Sequence, residues 1–132
     1  MLDAGGSLAE RFYRAFLDAD LPRLEALVAP DAVLVIRAPS LLAGSHPGPR
    51  GLATLRHRVG ELTGMTWGPL REDSHDVATS DWHAVVMDRF VAERGDRRLD
   101  SHEALVLAIE EDRIVRLFHY VHDPVAFTGF WS

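Results

Sequence analysis

Hydrophobic positions in the first half of the chain recur with the period of a helix. A wide apolar stripe over residues 8–18 predicts a first helix. Asp20 and Pro22 predict the start of a second helix, because aspartate caps a helix N-terminus and proline is tolerated in its first turn. The β-branched run at 32–37 predicts a short strand, and the pattern over residues 52–62 predicts a third helix.

From residue 65 onward the hydrophobic period becomes two, which is typical of strands. Because helices come first and long strands follow, the order predicts an α+β fold with residues 1–132 as a single domain. A strongly curved antiparallel sheet wrapped over three N-terminal helices would form a cone with an interior cavity, and bulges would help the curvature. We expect four long strands, near 66–78, 82–94, 97–109 and 113–122.

Composition narrows the class of protein. The chain has 132 residues, of which 47% are hydrophobic and 26% charged, as in ordinary soluble globular proteins. A net charge of −6 disfavours binding to nucleic acid, which requires a basic surface. The chain has no cysteine, so disulfides, thiolate chemistry and cysteine-based zinc sites are excluded. We recognise neither a signal peptide nor a run of about 20 apolar residues, and we expect a cytoplasmic protein without membrane association.

The last two strands bring an acid and an imidazole onto one face. A three-residue turn over 110–112, with Asp112 in the left-handed conformation that aspartate tolerates, would place Glu103 directly opposite His119. A two-residue turn would shift the register by one and separate them. In the three-residue register, the same face carries the aliphatic residues Leu105, Leu107, Val115, Leu117 and Val121.

The opposite face of this hairpin is also rich in apolar side chains. We expect it to point away from the cavity and to form the contact of a homodimer, because an exposed apolar patch usually marks a partner surface. His102 and His122 also fall on this face, away from His119. The apolar members of the outer face are Ala104, Val106, Ala108, Ile114, Phe118 and Tyr120.

A neutral imidazole held by a carboxylate is an effective general base. Glu103 and His119 therefore predict either the reactive end of a pocket or a hydrogen-bonded pair that only holds the sheet together, and the sequence leaves both open. His119 and His122 cannot bind one metal ion, because strand residues three apart point to opposite faces, and we expect no metal site. One of Asp88 and Arg89, neighbours in a predicted strand, must face inward, either in an ion pair or as a substrate-orienting group.

Several short segments follow one another in a characteristic order. They are Phe16 to Leu21 with Leu24 and Leu27, Ala29 to Val33, Leu42 to Gly44 with Gly48 and Leu52, Ala92 to Arg94, Asp112 to Val115, and Asp123-Pro124 with Phe130-Trp131. Together they resemble the NTF2-like superfamily and, within it, the SnoaL-like (polyketide cyclase-like) group, over nearly the whole chain. The resemblance implies an NTF2-like cone, a fold that hosts isomerases, cyclases, hydrolases, dehydratases and non-catalytic binding modules.

Ketosteroid isomerase, the best-known relative in that superfamily, needs an aspartate base and an oxyanion hole of a tyrosine and a protonated aspartate. At the matching positions this chain has Ile36 for the base, Phe12 for the tyrosine and Leu105 near the oxyanion aspartate. The resemblance therefore does not extend to steroid isomerisation. SnoaL-type cyclases are similar to this chain in placing an inward histidine and an inward aspartate on the last two strands. Glu103 and His119 occupy that region with the residue types swapped.

The resemblance implies a protein that binds a small apolar molecule. If it is an enzyme, it would be a cyclase or isomerase that acts without a cofactor on an apolar ketone or polyketide-like substrate. His119 would be the base, Glu103 its partner and Tyr13 a donor to the developing oxyanion. A non-catalytic ligand-binding or dimerisation module and an epoxide hydrolase-like enzyme remain alternatives. The loop predicted over 38–50 would border the cavity mouth. The residues expected to contact the substrate are Phe12, Phe16, Ile36, His46, Leu105, Leu117 and Arg89.

Overall fold

Residues 4–132, which the computed structural model describes, form four helices and one curved, unclosed sheet of seven strands. This architecture confirms the predicted α+β class. No helix in this part of the chain is long and apolar enough to cross a membrane. The helices are α1 (Ala4–Leu17), α2 (Leu21–Leu27), α3 (Gly48–Leu62) and α4 (Pro124–Phe130). The strands are β1 (Val33–Ile36), β2 (Gly44–Pro47), β3 (Gly68–Pro69), β4 (Asp76–Thr79), β5 (His83–Arg94), β6 (Arg97–Glu110) and β7 (Arg113–Val121).

The sheet has the strand order β2-β1-β7-β6-β5-β3, and β4 also pairs with β5. All neighbours are antiparallel except β1 and β7, which run parallel. Helix α1 contacts β4 and β5, while α4 contacts β6. The long central strands therefore carry the N-terminal and C-terminal helices that enclose the interior of the molecule.

Two short helices are capped at their N-termini by an aspartate side chain. Asp20 accepts a hydrogen bond from the backbone N–H of Arg23 at 3.3 Å, as predicted for the start of α2. Asp123 accepts one from the N–H of Ala126 at 3.0 Å, and Pro124 is the first residue of α4. This fourth helix was not among the three predicted ones. It fixes the C-terminal aromatic residues against the sheet.

The chain between residues 38 and 82 differs from the prediction. Strand β2 lies within the predicted loop 38–50. The first turn of α3 lies there too, because Pro49 is tolerated at a helix start. The single strand predicted near 66–78 is divided into β3 and β4. A turn separates them, in which the Ser74 hydroxyl donates to the Arg71 carbonyl at 2.8 Å.

The β6–β7 hairpin has a turn of two residues, and the three-residue turn predicted for it is wrong. Glu111 and Asp112 are both left-handed, with φ of 51° and 61°, as a type I′ hairpin requires. The left-handed conformation predicted for Asp112 is confirmed. Val115 is then an extra residue in β7, a bulge that moves the pairing by one further position. Ile114, expected on the outer face, precedes the bulge and is completely buried.

Turn and bulge together shift the hairpin by two residues from the predicted register. Leu105 pairs with His119, and Glu103 pairs with Val121 rather than with His119. The prediction of directly opposite residues is therefore wrong. Beyond the bulge, a shift of two leaves the side chains of β7 on their predicted faces. Glu103 and His119 therefore become diagonal neighbours on the inward face and still meet.

Candidate active site

A cavity of about 80 Å³ lies between α1, α3, the sheet and α4. Its wall is mostly apolar and rich in aromatic rings, including Trp67 stacked on Phe90 with 4.7 Å between ring centroids. Four residues predicted to contact the substrate line it, namely Phe12, Phe16, Ile36 and Leu105. Apart from two indole rings, the polar side chains in its wall are Tyr13, Asp88, Glu103 and His119.

The acid and the imidazole of the hairpin touch each other in this wall. Nε2 of His119 lies 2.7 Å from Oε1 of Glu103, and the two side chains are only 15% and 9% exposed. A carboxylate accepts hydrogen bonds, so the neutral imidazole carries its proton on Nε2. Nδ1 is then the nitrogen with a free lone pair. The ring also packs against Phe127, with 5.5 Å between centroids.

Asp88 is the cavity residue that the sequence left undecided. It lies on β5 directly across from Glu103, and it is 6% exposed. Its carboxylate accepts hydrogen bonds from the hydroxyl of Tyr13, from that of Ser74 at 2.6 Å, and from the backbone N–H of Arg89 at 2.7 Å. A buried carboxylate with three donors is well satisfied. Because Asp88 is paired with Glu103 across the strands, two acidic groups line the cavity side by side.

The hydroxyl of Tyr13 is hydrogen-bonded to the carboxylate of Asp88. Its side chain is 5% exposed, and burial together with the adjacent Asp88 carboxylate raises the pKa of the phenol above its usual value. The hydroxyl is therefore protonated and donates to Asp88, so its only proton is already in use. This arrangement contrasts with the expectation that Tyr13 donates to an oxyanion of the substrate.

The SnoaL-like domain model matches residues 9–117 of the chain. The chain belongs to the SnoaL-like domain family. An uncharacterized protein of Mycobacterium tuberculosis is 29% identical over 131 residues, 98% of each chain. The structure of Bal32a, from a soil-derived mobile gene cassette, is 27% identical with a TM-score of 0.86, covering 98% of this chain and 97% of that one. An NTF2-like protein of Burkholderia xenovorans shares the fold, with a TM-score of 0.83, 17% identity and coverage of 98% and 96%.

Three residues of this SnoaL-like chain do not line the cavity as expected. Arg89 points outward, because its neighbour Asp88 points inward, and it binds Asp100 through two bonds of 2.6 Å. His46 lies on the edge strand β2, where its Nε2 is 2.9 Å from the carbonyl oxygen of Leu42. Leu117 pairs with Leu107 instead of Leu105, two residues farther along β6 from Glu103, and is buried in the core.

The position of Asp88 cannot be read from the charges along β5. Arg89 and Glu93 share one face of the strand, but Asp88 and Arg94 share the other. The structure shows that the Asp88 face is the inward one, since Val86 and Phe90 on it are buried. The strand was ambiguous because apolar residues occupy both of its faces.

A second acid–imidazole pair supports the SnoaL-like cavity from outside. His75 lies 2.7 Å from Glu10 through Nε2, and its ring packs against Tyr13 at 4.8 Å between centroids. Sequence reasoning did not single out this pair, because its members are 65 residues apart. Among the described residues, no group of three or more His, Cys, Asp or Glu side chains could hold a metal ion.

Proposed function

We propose that this protein is an enzyme that moves a proton on a small apolar ketone, without a cofactor. The observation that carries the proposal is the Glu103–His119 pair at 2.7 Å in the wall of an apolar cavity. In a cavity that excludes bulk water, the imidazole accepts a proton from the substrate without competition from solvent. Proton removal next to a carbonyl is the shared first step of isomerisation and of aldol-type ring closure.

His119 acts as the general base through Nδ1. The proton on a carbon next to the substrate carbonyl moves to Nδ1, and the C–H electron pair moves into the carbonyl, which becomes an enolate. Glu103 keeps the proton on Nε2 and stabilises the imidazolium that forms. In an isomerase acting on an unsaturated ketone, the enolate is conjugated with the C=C bond, and the imidazolium returns its proton to the far carbon of that system. In a cyclase, the enolate carbon instead attacks a second carbonyl, and the oxygen of that carbonyl takes the proton from the imidazolium.

The size of the cavity limits the substrate. A dry protein cavity of about 150 Å³ is large enough for benzene, whereas this one measures about 80 Å³. The cavity therefore favours a small ketone, or the reacting end of a longer molecule, over a complete polyketide-like substrate. For a larger substrate, the aromatic wall would have to move apart.

Two alternatives receive less support. Epoxide hydrolysis would combine inward carboxylates with an arginine, but Arg89 is turned outward onto Asp100. A non-catalytic binding module would have a filled cavity or one without converging polar groups. Here the carboxylates of Asp88 and Glu103 and the imidazole of His119 all reach the cavity, which favours catalysis.

The experiment is deuterium exchange into a panel of ketones from acetone to cyclohexanone, followed by NMR in D₂O. Wild-type protein should exchange the protons next to the carbonyl of at least one ketone faster than buffer does. His119→Gln preserves a hydrogen-bonding group but cannot take up the proton, and we expect it to slow exchange by about 10²- to 10⁴-fold. The matched control is His122→Gln, on the exposed side of the sheet end, which should exchange like wild type. The proposal is wrong if no ketone exchanges faster with wild type, or if His119→Gln matches wild type.

A further inference from the structure

Trp131 carries an unused hydrogen-bond donor in the cavity wall. The residue lines the cavity and is 1% exposed. Its indole Nε1 is buried and has no hydrogen-bond partner among the described residues. Leaving a buried donor unpaired costs about 1–3 kcal/mol, so an unpaired N–H on a residue that lines a cavity is suited to an acceptor atom of a ligand.

The other buried polar groups do not offer this function. His75 Nδ1 is the second unpartnered buried atom in the described part of the chain, but His75 does not line the cavity. The hydroxyl of Tyr13 donates to Asp88. Nε2 of His119 is engaged with Glu103, and the indole of Trp67 is only half-buried and is not among the buried unpartnered groups. The Asp88 and Glu103 carboxylates accept hydrogen bonds and repel a partly negative oxygen.

The position of Trp131 is fixed from several sides. Its backbone oxygen accepts from the N–H of Leu41 at 2.9 Å, and its ring packs edge-on against Phe130. Arg94 donates to the carbonyl of Phe130 at 2.6 Å, and Arg97 to that of Ser132 at 2.7 Å. Clamped on both sides, the indole is a pre-organised donor that needs little reordering when a ligand arrives.

Trp131 also lies near the proposed base. Phe127 packs against His119, with 5.5 Å between centroids, and against Trp131, with 6.3 Å. The side chains of His119 and Trp131 therefore pack on the same aromatic ring of α4, and both line the same cavity.

We propose that the indole N–H of Trp131 binds the carbonyl oxygen of the substrate and orients its acidic C–H toward His119. This inference rests on the proposed function and assigns to Trp131 the oxygen-binding role that the sequence had suggested for Tyr13. It also defines the ligand class as small apolar molecules with a hydrogen-bond acceptor, and it separates ketones from hydrocarbons of the same shape.

The test compares equilibrium binding of acetone, a ketone smaller than benzene, with that of 2-methylpropene, which has a CH₂ group in place of the oxygen. Wild type should prefer the ketone. Trp131→Phe keeps a ring but removes the N–H, and should weaken acetone binding by about 3- to 10-fold while changing 2-methylpropene binding by less than about twofold. The matched control is Trp67→Phe, which alters another ring of the same wall and should affect both ligands alike.

A second measurement needs no variant. The chain has three tryptophans, so its indole N–H signals are easily followed by ¹H–¹⁵N NMR. The Trp131 signal should move downfield with acetone and not with 2-methylpropene. The inference is overturned if wild type does not bind the ketone preferentially, if Trp131→Phe retains that preference, or if the Trp131 signal does not respond. Because these readouts measure binding, they can succeed or fail independently of the proton-exchange test of His119.

Discussion

Removing the hydroxyl of Tyr13 should destabilise the fold measurably, because it leaves the buried Asp88 carboxylate one donor short. Asp88 is 6% exposed and keeps only the bonds from Ser74 at 2.6 Å and from the Arg89 N–H at 2.7 Å. A hydrogen bond to a charged group contributes about 1.5–3 kcal/mol. We therefore expect Tyr13→Phe to lower the free energy of unfolding by about 1.5–3 kcal/mol, measured by urea denaturation at neutral pH.

The chain supplies its own control for this measurement. Tyr120, the only other tyrosine, is 58% exposed, and Tyr120→Phe should change the free energy of unfolding by less than about 0.5 kcal/mol. In an Asp88→Asn background, Tyr13→Phe should cost less than in wild type, because the acceptor is no longer charged. Equal, small losses for the two tyrosine variants would refute the assignment of Tyr13 as a donor to Asp88.

Two further predictions concern pH and assembly. The unfolded chain ionises Tyr13 near pH 10, whereas the folded chain holds its pKa above that value. In urea titrations, the free energy of unfolding of wild type should therefore fall by about 1.4 kcal/mol more than that of Tyr13→Phe between pH 9 and pH 11, with most of the loss above pH 10. We also propose a homodimer through the outer sheet face, where Phe118 is 40% exposed. Phe118→Asp should halve the mass measured by light scattering, while Val125→Asp, at an 82% exposed position of α4, should not; a wild-type monomer would contradict the dimer.

The hairpin shows which part of the site could be read from the sequence. A period of two assigns Glu103 and His119 to one face, and that assignment holds for any even shift of register. The exact partners depend on the two-residue turn and on the bulge at Val115. Nothing in the local sequence of β7 marks the bulge, because a bulge depends on how the strand packs on its neighbours. The contact was therefore predicted from a register that is wrong, and it is kept because the turn and the bulge together shift the pairing by an even number of residues.

The rest of the cavity depends on contacts distant in sequence. Tyr13 and Asp88 meet across 75 residues, and no local pattern links a helix residue to one strand position. Trp131 follows the short helix α4, whose placement depends on Arg94 and Arg97 reaching the carbonyls at the end of the chain. Periodicity identified the elements and the resemblance identified the fold, but the donors and acceptors of the cavity emerge only when the elements pack together.

A double-mutant cycle on the exchange reaction tests most directly whether Glu103 and His119 act as one catalytic unit. With the ketone that wild type exchanges fastest, Glu103→Gln alone should slow exchange by about tenfold or more. The double variant Glu103→Gln/His119→Gln should be no slower than His119→Gln alone, because a partner has no function once its base is gone. Losses that multiply in the double variant, or a Glu103→Gln variant as fast as wild type, would show that the pair holds the sheet and takes no part in the chemistry.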